Sequence, residues 1–197
     1  MKEPNAEAPA VNTPNKAYIT TIGGRRFDPV DPAREDIDIG DIAHSLSLIC
    51  RANGHFRVFF SVARHCINCA KEAEALGYSP RVKLLCLLHD ATEAYIGDMT
   101  RPLKRQLPYY CLCEKQLYRN ILTGLGIAEP NETEESFVKA VDDAMLYHEF
   151  LTFNGDRLMT VPPVIHVPIE QSERLFAETK EEYLRLYRIL REETGVC

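Results

Sequence analysis

The chain contains no tryptophan, so any site it carries does without an indole ring. It also lacks a run of apolar residues approaching the roughly 18 needed to cross a bilayer. Positive charge is short as well: 23 lysines and arginines stand against 29 acids, a net charge of −6 with a pI near 5.6. That balance argues against a general nucleic-acid-binding surface, which needs a basic footprint, while a local basic site for a small anion remains open. The opening MKEPNAEAPAVNTPNK has no apolar signal-peptide segment, which points to the cytoplasm. The seven cysteines, Cys50, Cys66, Cys69, Cys86, Cys111, Cys113 and Cys197, are odd in number and mostly sit inside apolar helical patterns. They read as reduced thiols packed as small hydrophobes.

What is present is an ordinary globular composition, 45% apolar and 26% charged over 197 residues, which excludes a wholly disordered or collagenous chain and favours one domain. We expect a flexible tail over residues 1–17 and a single domain over 18–197. Two short β-prone runs flank Gly23-Gly24, which suggests a small hairpin, because both glycines can take positive φ. The rest has helical periodicity. Helices are expected at about 38–52, 58–76, 80–95, 105–123, 132–152 and 170–192, with a loop over Gly97–Pro102 and an irregular proline-bearing stretch from Asn154 to Pro168. Gly77 serves as a C-cap, Ser79-Pro80 starts the third helix, and Thr133 is a candidate N-cap. Apart from the hairpin, this is an all-α bundle.

The strongest chemical feature is His89-Asp90 within the most apolar segment, LLCLLHDATEAYIGD. Burying an ionisable pair there is costly unless something compensates. Either a hydrogen-bonded His–carboxylate pair or a divalent cation would do so, since imidazole nitrogen and carboxylate oxygen are both good ligands. Glu93, four residues on, is expected on the same helix face as His89. His65 lies in an apolar stripe on the preceding helix, and Asp142 sits among Val138, Val141, Met145 and Leu146. Asp143 points about 100° away and is expected to be solvated. Three helices can thus supply two histidines and two aspartates to one cation. Arg101, Lys104 and Arg105 form a local basic cluster of the kind that neutralises phosphoryl oxygens; a solvated helix start is the alternative.

The order His65, His89-Asp90, Asp142 resembles the H…HD…D pattern of the HD-domain metal-dependent phosphohydrolases. HDATEAYIGDMTRPLK and VKAVDDAMLYHE are similar to the corresponding stretches of bacterial 5′-deoxyribonucleotidases and phage-type dATP triphosphohydrolases, and DIDIGDIAHSLSLICRANGH resembles the latter group. The resemblance covers roughly residues 18–150. It implies an HD-domain helical bundle with a short N-terminal β-hairpin, with His65, His89, Asp90 and Asp142 holding one divalent ion, Mn, Co, Zn, Fe or Mg. It implies catalytic roles for Glu93 and Asp98 and substrate contacts for Arg51, Arg101 and Lys104. The pocket tryptophan of the nucleotidases has no counterpart here.

The implied activity is hydrolysis of a nucleotide, a deoxynucleoside 5′-mono- or triphosphate, at the bond between the α-phosphorus and the 5′ oxygen. The alternatives are an HD-like module that binds metal or nucleotide without turnover, and an HD phosphohydrolase acting on another phosphoester. The expected partner is a small-molecule nucleotide, with no nucleic-acid polymer and no membrane, in a homo-oligomer of two or more subunits. Cys66-x-x-Cys69 could be half a zinc site but lacks a matching second pair, so core packing is the favoured reading. His44 and His55 are expected to flank the pocket, His148 and Glu149 to be supporting or structural, and Tyr109, Tyr110 and Tyr118 to pack.

Overall fold

The computed structural model describes residues 18–195; the expected tail and Cys197 lie outside them. The hairpin is present, with β1 (Ile19–Thr20) antiparallel to β2 (Arg26–Phe27) and Ile19 opposite Phe27. Of the two glycines in its turn, only Gly24 takes positive φ, 78°. Gly23 is required for a different reason, because a Cβ there would stand 2.7 Å from the Asp41 carboxylate. Asp41 accepts from the Gly23 N–H (2.9 Å) and pairs with Arg25 (3.0 Å), which also reaches Asp38 (2.9 Å). Asp38 caps α1 (Ile39–Leu48), so this network ties the hairpin to the bundle.

Helix α2 (Val62–Ala75) begins at Ser61, whose hydroxyl accepts from the Arg64 N–H, and ends where Gly77 takes φ 73°. Helix α3 (Pro80–Leu88) starts on Ser79 with proline in its first turn, as expected, and Val82 and Leu84–Leu88 are all buried. It is shorter than its periodicity predicts. The His89 imidazole takes the Cys86 carbonyl (2.7 Å) that a continued helix would offer to the Asp90 N–H. Residues 89–92 then turn through tighter bonds, Ala91 N–H to Leu88 C=O and Glu93 N–H to Asp90 C=O, before the short α4 (Glu93–Ile96). His89 and Glu93 are therefore not on one continuous helix.

A further short helix, α5 (Arg101–Lys104), precedes α6 (Pro108–Gly124). Helix α7 (Glu132–Asn154) is capped by Asn131 rather than Thr133, in a reciprocal pair with Glu134 at 3.0 Å each way. Helix α8 (Phe176–Thr194) starts later than expected. The carbonyls of Glu170 and Ser172 are taken by the buried Arg64 guanidinium (3.0 and 2.7 Å), which holds that stretch out of helical conformation.

One core cluster runs from Phe27 through α1, α2, α3 and α6 to Tyr183, Tyr187 and Leu190 of α8. Tyr183 is fully buried and donates to the Leu87 carbonyl (2.8 Å). Tyr109, expected to pack, is 74% exposed. No helix among the described residues is long and apolar enough to cross a membrane.

Residues 155–175 form an irregular strap across α2 and α7. The buried Glu72 carboxylate accepts from the backbone N–H groups of His166 (2.8 Å) and Val167 (2.9 Å) and from the His166 ring (2.8 Å). Glu72→Ala leaves these donors without their acceptor. We expect a loss of about 2–4 kcal/mol in urea unfolding and faster proteolytic cleavage within 155–175.

Candidate functional site

His65 lies in the first turn of α2 and is fully buried. Its Nδ1 sits 2.7 Å from Glu149 Oε1 of α7, also fully buried. Nδ1–H donates to that carboxylate, so Nε2 presents a lone pair. His89 is fixed in the same tautomer, because the Cys86 carbonyl at its Nδ1 can only accept. The two Nε2 atoms stand 3.2 Å apart. Asp142 Oδ1 lies 3.1 Å from His65 Nε2 and 3.7 Å from His89 Nε2; Asp90 Oδ2 lies 3.3 Å from His89 Nε2 and 3.8 Å from His65 Nε2.

Four such atoms this close need positive charge among them, which protons on the imidazoles, the Arg51 guanidinium or a bound metal ion can supply. Ligand bonds of about 2.1 Å place neighbouring ligand atoms roughly 3.0–3.4 Å apart in octahedral or tetrahedral geometry; three of these spacings fall in that range and two, at 3.7 and 3.8 Å, are wider, so the group could hold a divalent metal. Burial opposes a positive charge on His89, yet Asp90 and the neighbouring groups outweigh it and hold the imidazole pKa well above its ordinary range. Burial likewise opposes ionisation of Asp142, and the two histidines pull its pKa well below the carboxylate range. The same field attracts any cation. Thiols flank the donors: Cys69 Sγ is 3.5 Å from His65 Nε2, and the groups His65/Cys69/His89 and Cys66/His89/Asp90 each bring ligand atoms within 4.8 Å.

Arg51 enters from the loop between α1 and α2 and is buried. Its guanidinium lies 3.3 Å from Asp90 Oδ2 and 3.2 Å from His65 Nε2, and its Nε is 3.7 Å from Glu149. Ala52 and Asn53, directly after it, both take φ 52°. Such left-handed residues cost about 1–2 kcal/mol each and are held here by the Arg51 N–H to Phe60 C=O bond (2.8 Å) and the His55 N–H to Ala52 C=O bond (3.0 Å). Strain of this kind gathers where a side chain must be aimed.

A cleft of about 440 Å³ opens beside the donor quartet. Asp90 and Asp142 form its border with the histidines, and Glu93, Asp98, Arg51, Arg101, Lys104 and Arg105 line it further. Glu93 is buried, with Oε2 lacking a hydrogen-bond partner among the described residues; burial, then Asp90 and Asp98, push its pKa well above the usual carboxylate value. Burial also raises Asp98, against the Arg51 charge. Arg101 donates to Asp142 Oδ2 (2.6 Å) and to Asp143 (2.7 Å), while Lys104 pairs with Glu114 (2.6 Å). The fold thus brings all nine expected site residues to one centre, the two histidines behind the cleft and the other seven on its wall.

Sequence reasoning missed Asp143, which is paired with Arg101 and Lys139 rather than simply solvated. Glu149, expected to be supporting or structural, stands behind His65, and its spacing of seven from Asp142 on one helix puts the two on the same side. His44 and His55 do not line the cleft; His44 meets Phe176 edge-on. His148 bonds the Pro163 carbonyl (2.7 Å), a supporting contact to the strap.

The uncharacterized protein YfdR of Escherichia coli K12 is 38% identical over 133 residues, covering 68% of this chain and 70% of YfdR. An uncharacterized protein of Rhodobacter capsulatus is 40% identical over 94 residues, covering 45% of this chain and 47% of its own length. No family model matches the chain.

Two measurements follow from the geometry. A divalent ion at 100 times its Kd raises stability by about 2.7 kcal/mol, seen as a higher Tm in the wild type and no rise in His89→Ala. Glu149→Gln removes the charge behind His65, and calorimetric titration with zinc or manganese is expected to show a 10–100-fold weaker affinity.

Proposed function

The chain belongs to the family of Escherichia coli YfdR, and from the chemistry of its site we propose that it is an HD-domain metal-dependent phosphohydrolase acting on deoxynucleoside 5′-phosphates. One observation carries this reading: two imidazole Nε2 atoms stand 3.2 Å apart, each 3.1–3.8 Å from the same two carboxylate oxygens, at the edge of a cleft whose wall also bears Arg101 and Lys104. A metal-binding acid cluster alone fits many roles; beside a basic wall it fits a phosphoester.

His65, His89, Asp90 and Asp142 would hold the ion. When bound, it supplies Lewis acidity, both to acidify water into a nucleophile near neutral pH and to polarise a phosphoryl oxygen. The chain's own groups do the rest. Arg101 and Lys104 offset the charge on the phosphoryl oxygens. Burial, with Asp90 and Asp98, favours the protonated form of Glu93, whose Oε2 has no hydrogen-bond partner among the described residues, so it can give a proton to the departing 5′ oxygen and regain one from the attacking water. The bond from the α-phosphorus to the 5′ oxygen breaks as the bond to the water oxygen forms, releasing a nucleoside with phosphate or triphosphate. Asp98 faces the same cleft, where the resemblance puts the sugar.

Metal-stripped protein is to be given Mn, Co, Zn or Mg separately, with dAMP, dATP and their ribose counterparts. Phosphate from dAMP or intact triphosphate from dATP is the expected product. His89→Ala and Asp90→Ala are each expected to lose metal binding and turnover together, by more than the 10–100-fold that loss of a supporting residue costs. Full activity in either variant contradicts the site assignment, and tight nucleotide binding without product under every metal marks a binding module instead.

A further inference from the structure

Asp142, Leu146 and Phe150 are spaced four apart on α7 and all line the cleft. At 1.5 Å rise per residue, Phe150 sits about 12 Å along the helix axis from Asp142. Along this line the cleft changes character, from carboxylates and guanidinium groups at one end to apolar side chains at the other. Phe150 is the one aromatic ring among the lining residues, set edge-on against Phe56 with centroids 5.1 Å apart.

The strap completes this apolar end. Gly155, at φ 72°, closes α7 in a left-handed turn, with its N–H on the Leu151 carbonyl (3.1 Å) and the Asp156 N–H on that of Phe150 (3.2 Å). The chain doubles back and delivers Leu158 and Met159 to the cleft wall. They remain 43% and 39% exposed. Glu72, Arg64 and the His148–Pro163 bond hold the strap in place further along. Apolar side chains kept at the wall of a cleft, on a pinned segment, fit an apolar ligand surface.

We propose that Leu146, Phe150, Leu158 and Met159 form a subsite for the uncharged aromatic base of a nucleotide whose phosphate lies at the Asp142 end. The phosphate end of this assignment rests on the phosphohydrolase reading; the apolar end rests on its own geometry. None of these four side chains offers a strong hydrogen-bond partner to a base edge. The subsite therefore reads contact area rather than base identity, favouring purines over pyrimidines and otherwise tolerating different bases.

The test is the ratio of kcat/KM for dAMP to that for 2-deoxyribose 5-phosphate, which has no base. Met159→Asp and Leu158→Asp alter exposed positions, and Phe150→Ala serves as a third variant. The ratio is expected to fall at least tenfold in each, with zinc or manganese affinity kept. An equal fall on both substrates overturns the subsite. If wild type turns over neither compound, the phosphohydrolase reading fails, and equilibrium dialysis with deoxyadenosine and deoxycytidine decides the subsite separately. Saturable binding, tighter for deoxyadenosine and weakened at least tenfold by Met159→Asp, sustains it. No saturable binding, or binding indifferent to the substitutions, overturns it.

Discussion

Two imidazole Nε2 atoms face each other at 3.2 Å because the opposite nitrogen of each ring is already committed, one to the Glu149 carboxylate and one to the Cys86 carbonyl. Everything else about the site depends on that commitment. It fixes both tautomers, turns both lone pairs inward and leaves them against two carboxylate oxygens. An electron-rich cluster of this kind, with His65 fully buried, is costly without positive charge at its centre. Arg51 brings positive charge to the inward-facing atoms themselves, Asp90 Oδ2 and His65 Nε2, while Arg101 takes the outer Asp142 Oδ2.

The supporting structure follows from the same demand. Helix α3 stops at Leu88, and the tight turn over 89–92 sets His89, Asp90 and Glu93 around the cleft in a way a continuous helix would not. The left-handed pair Ala52 and Asn53 costs backbone energy just where Arg51 is aimed inward. Asp142 divides its two oxygens, Oδ1 toward the histidines and Oδ2 toward Arg101. A single carboxylate therefore links the His/Asp cluster to the basic wall, so a change in one is felt in the other.

The cleft has two chemically different ends joined by α7, and the strap makes the second one. Buried Arg64 and Glu72 of α2 tie down backbone carbonyls and N–H groups that no helix or sheet satisfies, which lets an irregular segment keep a fixed course. Rigid placement matters because an apolar wall discriminates by contact area, which a mobile segment would blur.

Amphipathic periodicity, glycine and proline punctuation and the H…HD…D order made the helical bundle, the hairpin and the nine candidate site residues legible from the sequence. These signals are local or carried by residue type, and the fold preserved them: Ser79-Pro80 opens α3, Gly77 closes α2, and His65, His89, Asp90 and Asp142 do converge. What sequence periodicity could not register were competitions between local and distant partners. The His89 ring outbids a helical N–H for the Cys86 carbonyl, and Arg64 holds residues 170–172 out of α8. Asp143 was read as solvated because its angle on the helix ignores Arg101, some forty residues away in sequence. The sequence by itself determined which groups were available to ligate a cation and on which elements they lay. Only the tertiary structure decided their tautomers, the partner behind each ring and the apolar end of the cleft, because those depend on contacts between residues far apart in the chain.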